Sequence, residues 1–378
     1  MRIYLDNAAT TSLDKEVFNA MIPYLLEHYG NPSSHHQQGQ QVRKAIEECR
    51  ITIANLLNAL PEEIIFTSGG TEADNMAIFS AVYSQKIANV ITTRFEHHAV
   101  LHTLNSLQSK GLIKVNFIRH DTKGTLDLDH LEQLLQTSPR SLVSVMHANN
   151  EIGNLNDIER ISELCAQNNA LFHSDTVQTI GHYSYDLQKL KVHFLAASAH
   201  KFHGPKGVGF IFCRQGIKLT QLIHGGGQEN QLRAGTENIS GIIGLTKALE
   251  LAYKHLEEHQ QYVQGLKSYM IECLLNEVPG IRFNGNSAAV SKSLYTILNV
   301  GLPVPNNAQN LLRCLDELEI SVSGGSACST GSVSHVLQAI STDRSCDNIR
   351  FSFSKLNSRQ EIDLVIKALN QIYQSVAA

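Results

Sequence analysis

Lys201 sits where a short apolar run gives way to turn-forming sequence. Phe194 to Ala197 leads into Ser198-Ala199-His200-Lys201, and His203-Gly204-Pro205-Lys206-Gly207 follows. An ammonium at the mouth of a buried strand is costly to desolvate. Desolvation lowers the pKa of a lysine, and the neutral amine condenses with an aldehyde to a Schiff base. The other reading is a strand-end lysine that reaches back to water along its own stem. A second stretch, EIIFTSGGTEADN from Glu63 to Asn75, runs an apolar strand into Ser68-Gly69-Gly70-Thr71 and starts a helix at Glu72. Glycines let the backbone approach an anion, and the free N–H groups of a helix start hold phosphate. The same residues also read as a tight strand-to-helix turn, and they match neither G-x-G-x-x-G nor G-K-[ST]. In the third stretch, ALFHSDTVQTIG from Ala170 to Gly181, an apolar strand delivers Asp175 at its carboxyl end, with Gln178 three residues on. Ligands of open parallel sheets collect at such ends. An acid there either holds a protonated ring nitrogen or is a loop carboxylate in water. Taken together, a phosphate cup, an acid for a pyridinium and a Schiff-base lysine are what pyridoxal phosphate requires. That cofactor brings the electron sink and leaves anchoring, protonation and the lysine to the protein.

The seven cysteines contain no C-x-x-C pair. In a reducing compartment most should be buried free thiols. Cys328 differs, because SVSGGSACST from Ser321 to Thr330 surrounds it with small residues that give a thiol little to pack against. Cys346, in TDRSCDN, is the only other one in polar surroundings. His98 and His102 have helical metal-ligand spacing, but no H-E-x-x-H pattern or third carboxylate accompanies them, so no metal is expected.

The elements that must position these residues follow from periodicity. Helices are expected over 15–28 and 40–57. Short β-rich runs at 64–67, 90–93, 115–118, 142–146, 170–173 and 194–197 then alternate with helices near 72–83, 98–109, 127–135 and 157–168. That alternation argues a mostly parallel sheet covered on both faces, with 207–213 as an added antiparallel strand. A helix over 239–275 precedes a mixture of strands (295–300, 350–354) and helices (309–317, 359–375). The expected organisation is a large α/β domain over 14–250. Residues 251–378, with the arm 1–13, form a smaller α+β domain. With 31 Lys and Arg against 35 Asp and Glu, net charge −4, there is no basic footprint for nucleic acid. No apolar run reaches the length of a membrane span. The opening MRIYLDNAATT has no signal-peptide core, so a cytoplasmic protein is expected.

The chain resembles the cysteine desulfurases of the NifS/IscS type, within the class V aminotransferase group. The resemblance runs through YLDNAATT (4–11), GNPSS (30–34), FTSGGTEADN (66–75), EHHAV (96–100), NNEIG (149–153), HSDTVQTIG (173–181), SAHKFHGPKG (198–207), HGGGQE (224–229), RAGTEN (233–238), GSAC (325–328) and IRFS (349–352). It implies the aspartate aminotransferase-like fold of pyridoxal-phosphate enzymes and the conversion of L-cysteine to L-alanine, with the sulfur left on Cys328 as a persulfide. By the same resemblance Lys201 bonds the cofactor, Asp175 pairs with its ring nitrogen, Gln178 meets its ring hydroxyl and His97 stacks on its face. Gly70, Thr71, Ser198 and His200 hold the phosphate, Asn150 lies beside cofactor and substrate, and Arg350 clamps the substrate carboxylate. Thr236 reaches the cofactor of a neighbouring subunit, which implies a homodimer. His97 is also the expected acceptor of the Cys328 thiol proton. The alternatives are a selenocysteine lyase, a class V aminotransferase with no need of Cys328, and a catalytically silent sulfur-relay or scaffold-binding protein. The segment from Cys328 to Arg350 is a few residues shorter than in long-loop members, and the chain ends at Ala378 just after its last helix. The sulfur acceptor, an iron–sulfur scaffold or another protein, is therefore left open.

Overall fold

The computed structural model describes residues 2–138, 140–304, 310–324, 334–342 and 346–377. The chain opens with β1 (Ile3–Tyr4), an extended arm, α1 (Lys15–Leu26) and α2 (Gln37–Leu57). Asp14 caps α1 by accepting the Glu16 N–H, and Asn58 ends α2 in the left-handed conformation. Then β2 (Ile64–Thr67), α3 (Gly70–Phe79), β3 (Asn89–Thr92), α4 (His98–Ser109), β4 (Lys114–Phe117) and α5 (Leu128–Thr137) alternate. They are followed by β5 (Ser141–Ser144), α6 (Ile158–Gln167), β6 (Leu171–Asp175), β7 (Phe194–Ser198) and β8 (Gly209–Cys213). Every residue of β2, β5, β6, β7 and β8 is buried. Burial on both faces is why β2, β7 and β8 read as nearly continuous apolar runs.

The strands form one seven-stranded sheet in the order β2-β8-β7-β6-β5-β3-β4. All pairs from β7 to β4 are parallel, whereas β8 runs antiparallel to both β7 and β2. Two reversals restore direction, so β2 points the same way as β7. The expected antiparallel strand thus lies inside the sheet, between the strand of the glycine turn and the strand of the lysine. Alternate strand residues feed two cores. Phe66, Val143, Phe172 and Phe210 pack with α2, α5 and α6 on one face. Ile65, Leu142, Leu171 and Ile211 pack with α3 and α4 on the other. This is the α/β architecture with a mostly parallel sheet that the alternation implied.

After the four-residue turn α7 (Gln228–Gln231), the single helix expected over 239–275 is two, α8 (Ile239–Lys254) and α9 (Leu256–Glu277). His255, at φ −113° and ψ 23°, breaks the helix between them. The remainder is β9 (Arg282–Phe283), β10 (Ile297–Pro303), α10 (Leu311–Glu317), β11 (Ile320–Ser321), α11 (His335–Ala339), β12 (Cys346–Ser352) and α12 (Arg359–Ala377). Here β12-β10-β9 make an antiparallel sheet whose Leu298, Val300 and Phe351 pack with Leu266 and Met270 of α9 and Leu369 of α12. Lys267 of α9 is also fully buried, its Nζ donating to Ser293 Oγ at 2.7 Å and Leu294 O at 2.9 Å. The arm belongs to this core through Ile3, Leu5 and Ala8, and β1 pairs with β11. The Ser352 N–H donates to Leu5 O at 2.7 Å and the Thr11 N–H to His200 O at 2.9 Å, so the arm runs from this core to the lysine turn.

Candidate active site

The carboxyl ends of the strands surround one pocket. Gly70, Thr71 and Asp74 enter it from the start of α3, and His97 from the cap of α4. Met146 and Asn150 come from the loop after β5, Asp175, Val177 and Gln178 from β6 and its turn, and Ser198, His200 and Lys201 from β7 and its turn. Arg350 of β12 and Ala8–Ala9 of the arm complete the wall. Ten of the twelve residues singled out in the sequence are therefore gathered in one place. Thr236 is not among them: it is exposed and lines a separate hollow with Ser68, Arg233 and Glu237. Cys328 lies outside the described residues, and Cys346 is half-buried at the start of β12.

The local chemistry of each wall follows from its backbone. Gly69 has φ +151°, and a Cβ on Gly70 would come within 2.4 Å of Val177 Cγ2, so both positions depend on the absence of a side chain. No side chain caps the start of α3. Its first N–H groups are left for an anion. Lys201 Nζ donates to Ala8 O at 2.6 Å and Ala9 O at 2.9 Å, and Gln178 Nε2 donates to Ala8 O at 3.1 Å. The arm is thus a wall of the site as well as a strand of the second core. Arg350 is buried and donates through Nη2 to Asp6 Oδ1 at 2.7 Å and through Nη1 to Asn150 O at 2.8 Å. Its Nε is buried with no hydrogen-bond partner among the described residues.

Burial dominates the electrostatics. Asp175 accepts the Val177 N–H at 2.9 Å, yet desolvation pushes its carboxyl up to about 6. Glu96 accepts from Thr93 Oγ1 at 2.8 Å and from the Met146 N–H at 3.0 Å, and burial carries it to about 8. His97 accepts the Ala99 N–H on Nδ1 at 3.1 Å. Burial first, then Lys201 and neighbouring histidines, push it down to about 4. It is a neutral imidazole with its proton on Nε2. His200, with Nδ1 at 3.1 Å from Thr10 Oγ1, is likewise neutral, held near 4 by burial and then by Lys201. Among the described residues no three His, Cys, Asp or Glu side chains are grouped to hold a metal, and no helix is long and apolar enough to cross a membrane.

The family model for Aminotransferase class-V matches residues 3–365. The chain belongs to this family. Within it, the chain is 41% identical to the cysteine desulfurase IscS of Dictyoglomus turgidum, over 99% of this chain and 95% of that one. A solved NifS-like protein superposes with a TM-score of 0.90 at 37% identity, covering 99% of this chain and all of the other. A structure of SspA in complex with cysteine superposes at 0.80 with 30% identity, over 95% of this chain and all of the other. The chain is thus a class V member of the NifS/IscS-like cysteine desulfurase branch.

Enzymes of this family depend on pyridoxal phosphate, and the pocket fits it. The glycine cradle, the open start of α3 and the Thr71 and Ser198 hydroxyls supply phosphate donors. Asp175 supplies a buried acid, Lys201 an amine, and the Arg350 Nε a donor for a carboxylate. Sequence reasoning overlooked Asp6, Asp74 and Glu96. Asp74 was legible in principle, since it lies three residues beyond Thr71 and therefore on the same helix face.

Proposed function

We propose that the chain is a pyridoxal-phosphate-dependent cysteine desulfurase that converts L-cysteine to L-alanine and retains the sulfur on Cys328 as a persulfide. The observation that carries this is the meeting of Lys201, Asp175 and the Gly70–Thr71 turn in one pocket of a chain akin to cysteine desulfurases along its whole length. The cofactor, when bound, supplies the electron sink that makes the substrate Cα–H acidic. Gly70, Thr71, Ser198 and His200 would hold its phosphate, Gln178 its ring hydroxyl and Asp175 its ring nitrogen. Arg350 takes the substrate carboxylate on its Nε side, with Asp6 and the Asn150 carbonyl fixing the guanidinium. Asn150 stands beside both. Lys201 removes the Cα proton. The Cys328 thiolate then attacks the substrate sulfur, the C–S bond breaks as the S–S bond forms, and the three-carbon remainder leaves as alanine after protonation. His97 would stack on the ring. Its low basicity makes it a poor acceptor of the Cys328 proton, which leaves stacking as its main role.

Residues 14–250 make the cofactor-binding domain, and 251–378 with the arm make the smaller one. The enzyme works as a homodimer. Thr236 stands outside its own pocket, as a residue serving a partner would, and α1 and the turn after it expose Phe18, Leu25, Leu26 and Tyr29 to a second copy. The six described cysteines are all free thiols, which suits a reducing cytoplasm. The sulfur passes to an iron–sulfur scaffold or another acceptor protein. The test is to measure alanine and sulfide from L-cysteine with and without a thiol reductant. Stoichiometric alanine with sulfide that appears only on reduction supports the reading, and absence of alanine refutes it.

A further inference from the structure

We propose that Asp74 is a positioning residue, a carboxylic acid that keeps its proton, donates it to His173 Nε2, and leaves Asp175 to carry the negative charge at that end of the pocket. The proposal rests on the reading of Asp175 as partner of the ring nitrogen. Three carboxyls, Asp74, Glu96 and Asp175, are buried together, none more than 6% exposed. Two of them have donors of their own: Asp175 has the Val177 N–H, and Glu96 has Thr93 Oγ1 and the Met146 N–H. Among the described residues the Asp74 carboxyl has a single hydrogen-bonding neighbour, His173 Nε2 at 3.2 Å from Oδ1. The chain continues inward, with His173 Nδ1 2.9 Å from Ser144 Oγ. His173 is two residues before Asp175 on β6 and therefore on the same face of that strand.

Asp74 can meet His173 ionised, facing either an imidazolium or a neutral imidazole that donates from Nε2, or it can keep its proton and donate. Either ionised form would place a fully buried anion, held by one hydrogen bond, within Coulombic reach of Asp175 and Glu96. An anion so held recovers little of its desolvation. The neutral pair needs only O–H···N, with the His173 Nδ1–H donating onward to Ser144. Burial acts on both partners in that direction. It drives His173 down to about 3. It also raises Asp74 well above the carboxylate range, with Asp175 and then Glu96 adding to the effect. The other charged or titratable groups lining the pocket, Lys201, His97, His200 and Arg350, give Asp74 no hydrogen bond. The acid that ionises first is therefore Asp175.

The test uses the cofactor-free protein and three forms: wild type, Asp74→Asn and Asp74→Ala. Infrared difference spectra at pH 7 should show a protonated-carboxylic-acid C=O band in the wild type that Asp74→Asn lacks. An asparagine amide can still donate to His173 Nε2, so Asp74→Asn should bind pyridoxal phosphate within about threefold of the wild type. Asp74→Ala strands the imidazole, and binding should weaken by roughly 5- to 150-fold. Absence of the band refutes the proposal, as does a loss in Asp74→Asn equal to that in Asp74→Ala. If the alanine variant does not fold, the band and the asparagine affinity still decide. Were the cofactor reading itself wrong, the wild type would fail to bind pyridoxal phosphate while the band remained.

Discussion

Replacing Lys267 by Met should stabilise the protein at neutral pH, and the gain should fade as the pH rises. Lys267 is completely buried with two neutral acceptors and, among the described residues, no anion, and burial lowers its pKa from 10.5 to about 7. An unfolded chain therefore binds a proton that the folded one releases between those values. Stability must rise with pH across that window, and the cost is complete below about pH 7. At about 1.4 kcal/mol per pH unit, the full cost is on the order of 5 kcal/mol. Methionine has a similar length and no charge to desolvate. It also forfeits two hydrogen bonds, but neither acceptor is orphaned. Ser293 Oγ still donates to Ala289 O at 2.8 Å, and Leu294 O still receives the Ile297 N–H at 3.3 Å. Losing those bonds costs roughly 1–3 kcal/mol. Lys267→Met should thus gain about 2–4 kcal/mol at pH 7 and be neutral to about 2 kcal/mol less stable by pH 10, where only the lost hydrogen bonds still count. The chain has no tryptophan, so far-UV circular dichroism in urea at pH 7, 8, 9 and 10 is the suitable assay. A loss of stability at pH 7, or a difference between the two proteins that does not change with pH, would show that Lys267 is charged and that this reasoning is wrong.

Three further outcomes bear on the chemistry. Asp175→Asn should keep much of its affinity for pyridoxal phosphate yet lose turnover by at least a hundredfold. Binding to the wild type should weaken as the pH falls through about 6, where the raised Asp175 carboxyl takes up its proton, and titration of the variant should lack that step. Cys328→Ser should still bind L-cysteine while alanine production collapses, and in the wild type mass spectrometry should find one extra sulfur, removable by reductant, on the Cys328 peptide. A label on Cys346 would overturn that assignment. His97→Phe keeps a ring without a nitrogen. A neutral His97 near pKa 4 predicts turnover within about tenfold of normal, whereas a fall of 10²–10⁴ is what loss of a general base produces.

Much of this was legible in the sequence because strand ends carry the chemistry. Asp175, Ser198 and Lys201 follow fully buried apolar runs, and Gly69–Gly70 mark a turn where the backbone must be bare. The placement of β8 inside the sheet was not legible, since GVGFIFC shows that a strand is buried on both faces but not which neighbours bury it. The break at His255 was missed because both flanking segments keep helical periodicity. Asp6, Asp74 and Glu96 escaped notice for a different reason. A carboxylate gains its meaning from partners 344, 99 and 50 residues away, Arg350, His173 and Met146, and no local pattern encodes those meetings.

The arm has a consequence for the order in which the enzyme is made. Ala8 and Ala9 hold the lysine amine, but what fastens them there is Ser352, whose N–H meets Leu5 O and whose hydroxyl accepts the Ala8 N–H at 2.9 Å. The arm thus waits for a residue 344 positions later in synthesis before it has anywhere to bind. A nascent chain that has completed the large sheet already owns Lys201, Asp175 and the glycine turn. It still lacks Arg350 and the strand that seats the arm, so one wall of its pocket stands open. Completion of the cofactor pocket therefore waits for β12, and truncations that remove this strand should surface first as poor cofactor retention.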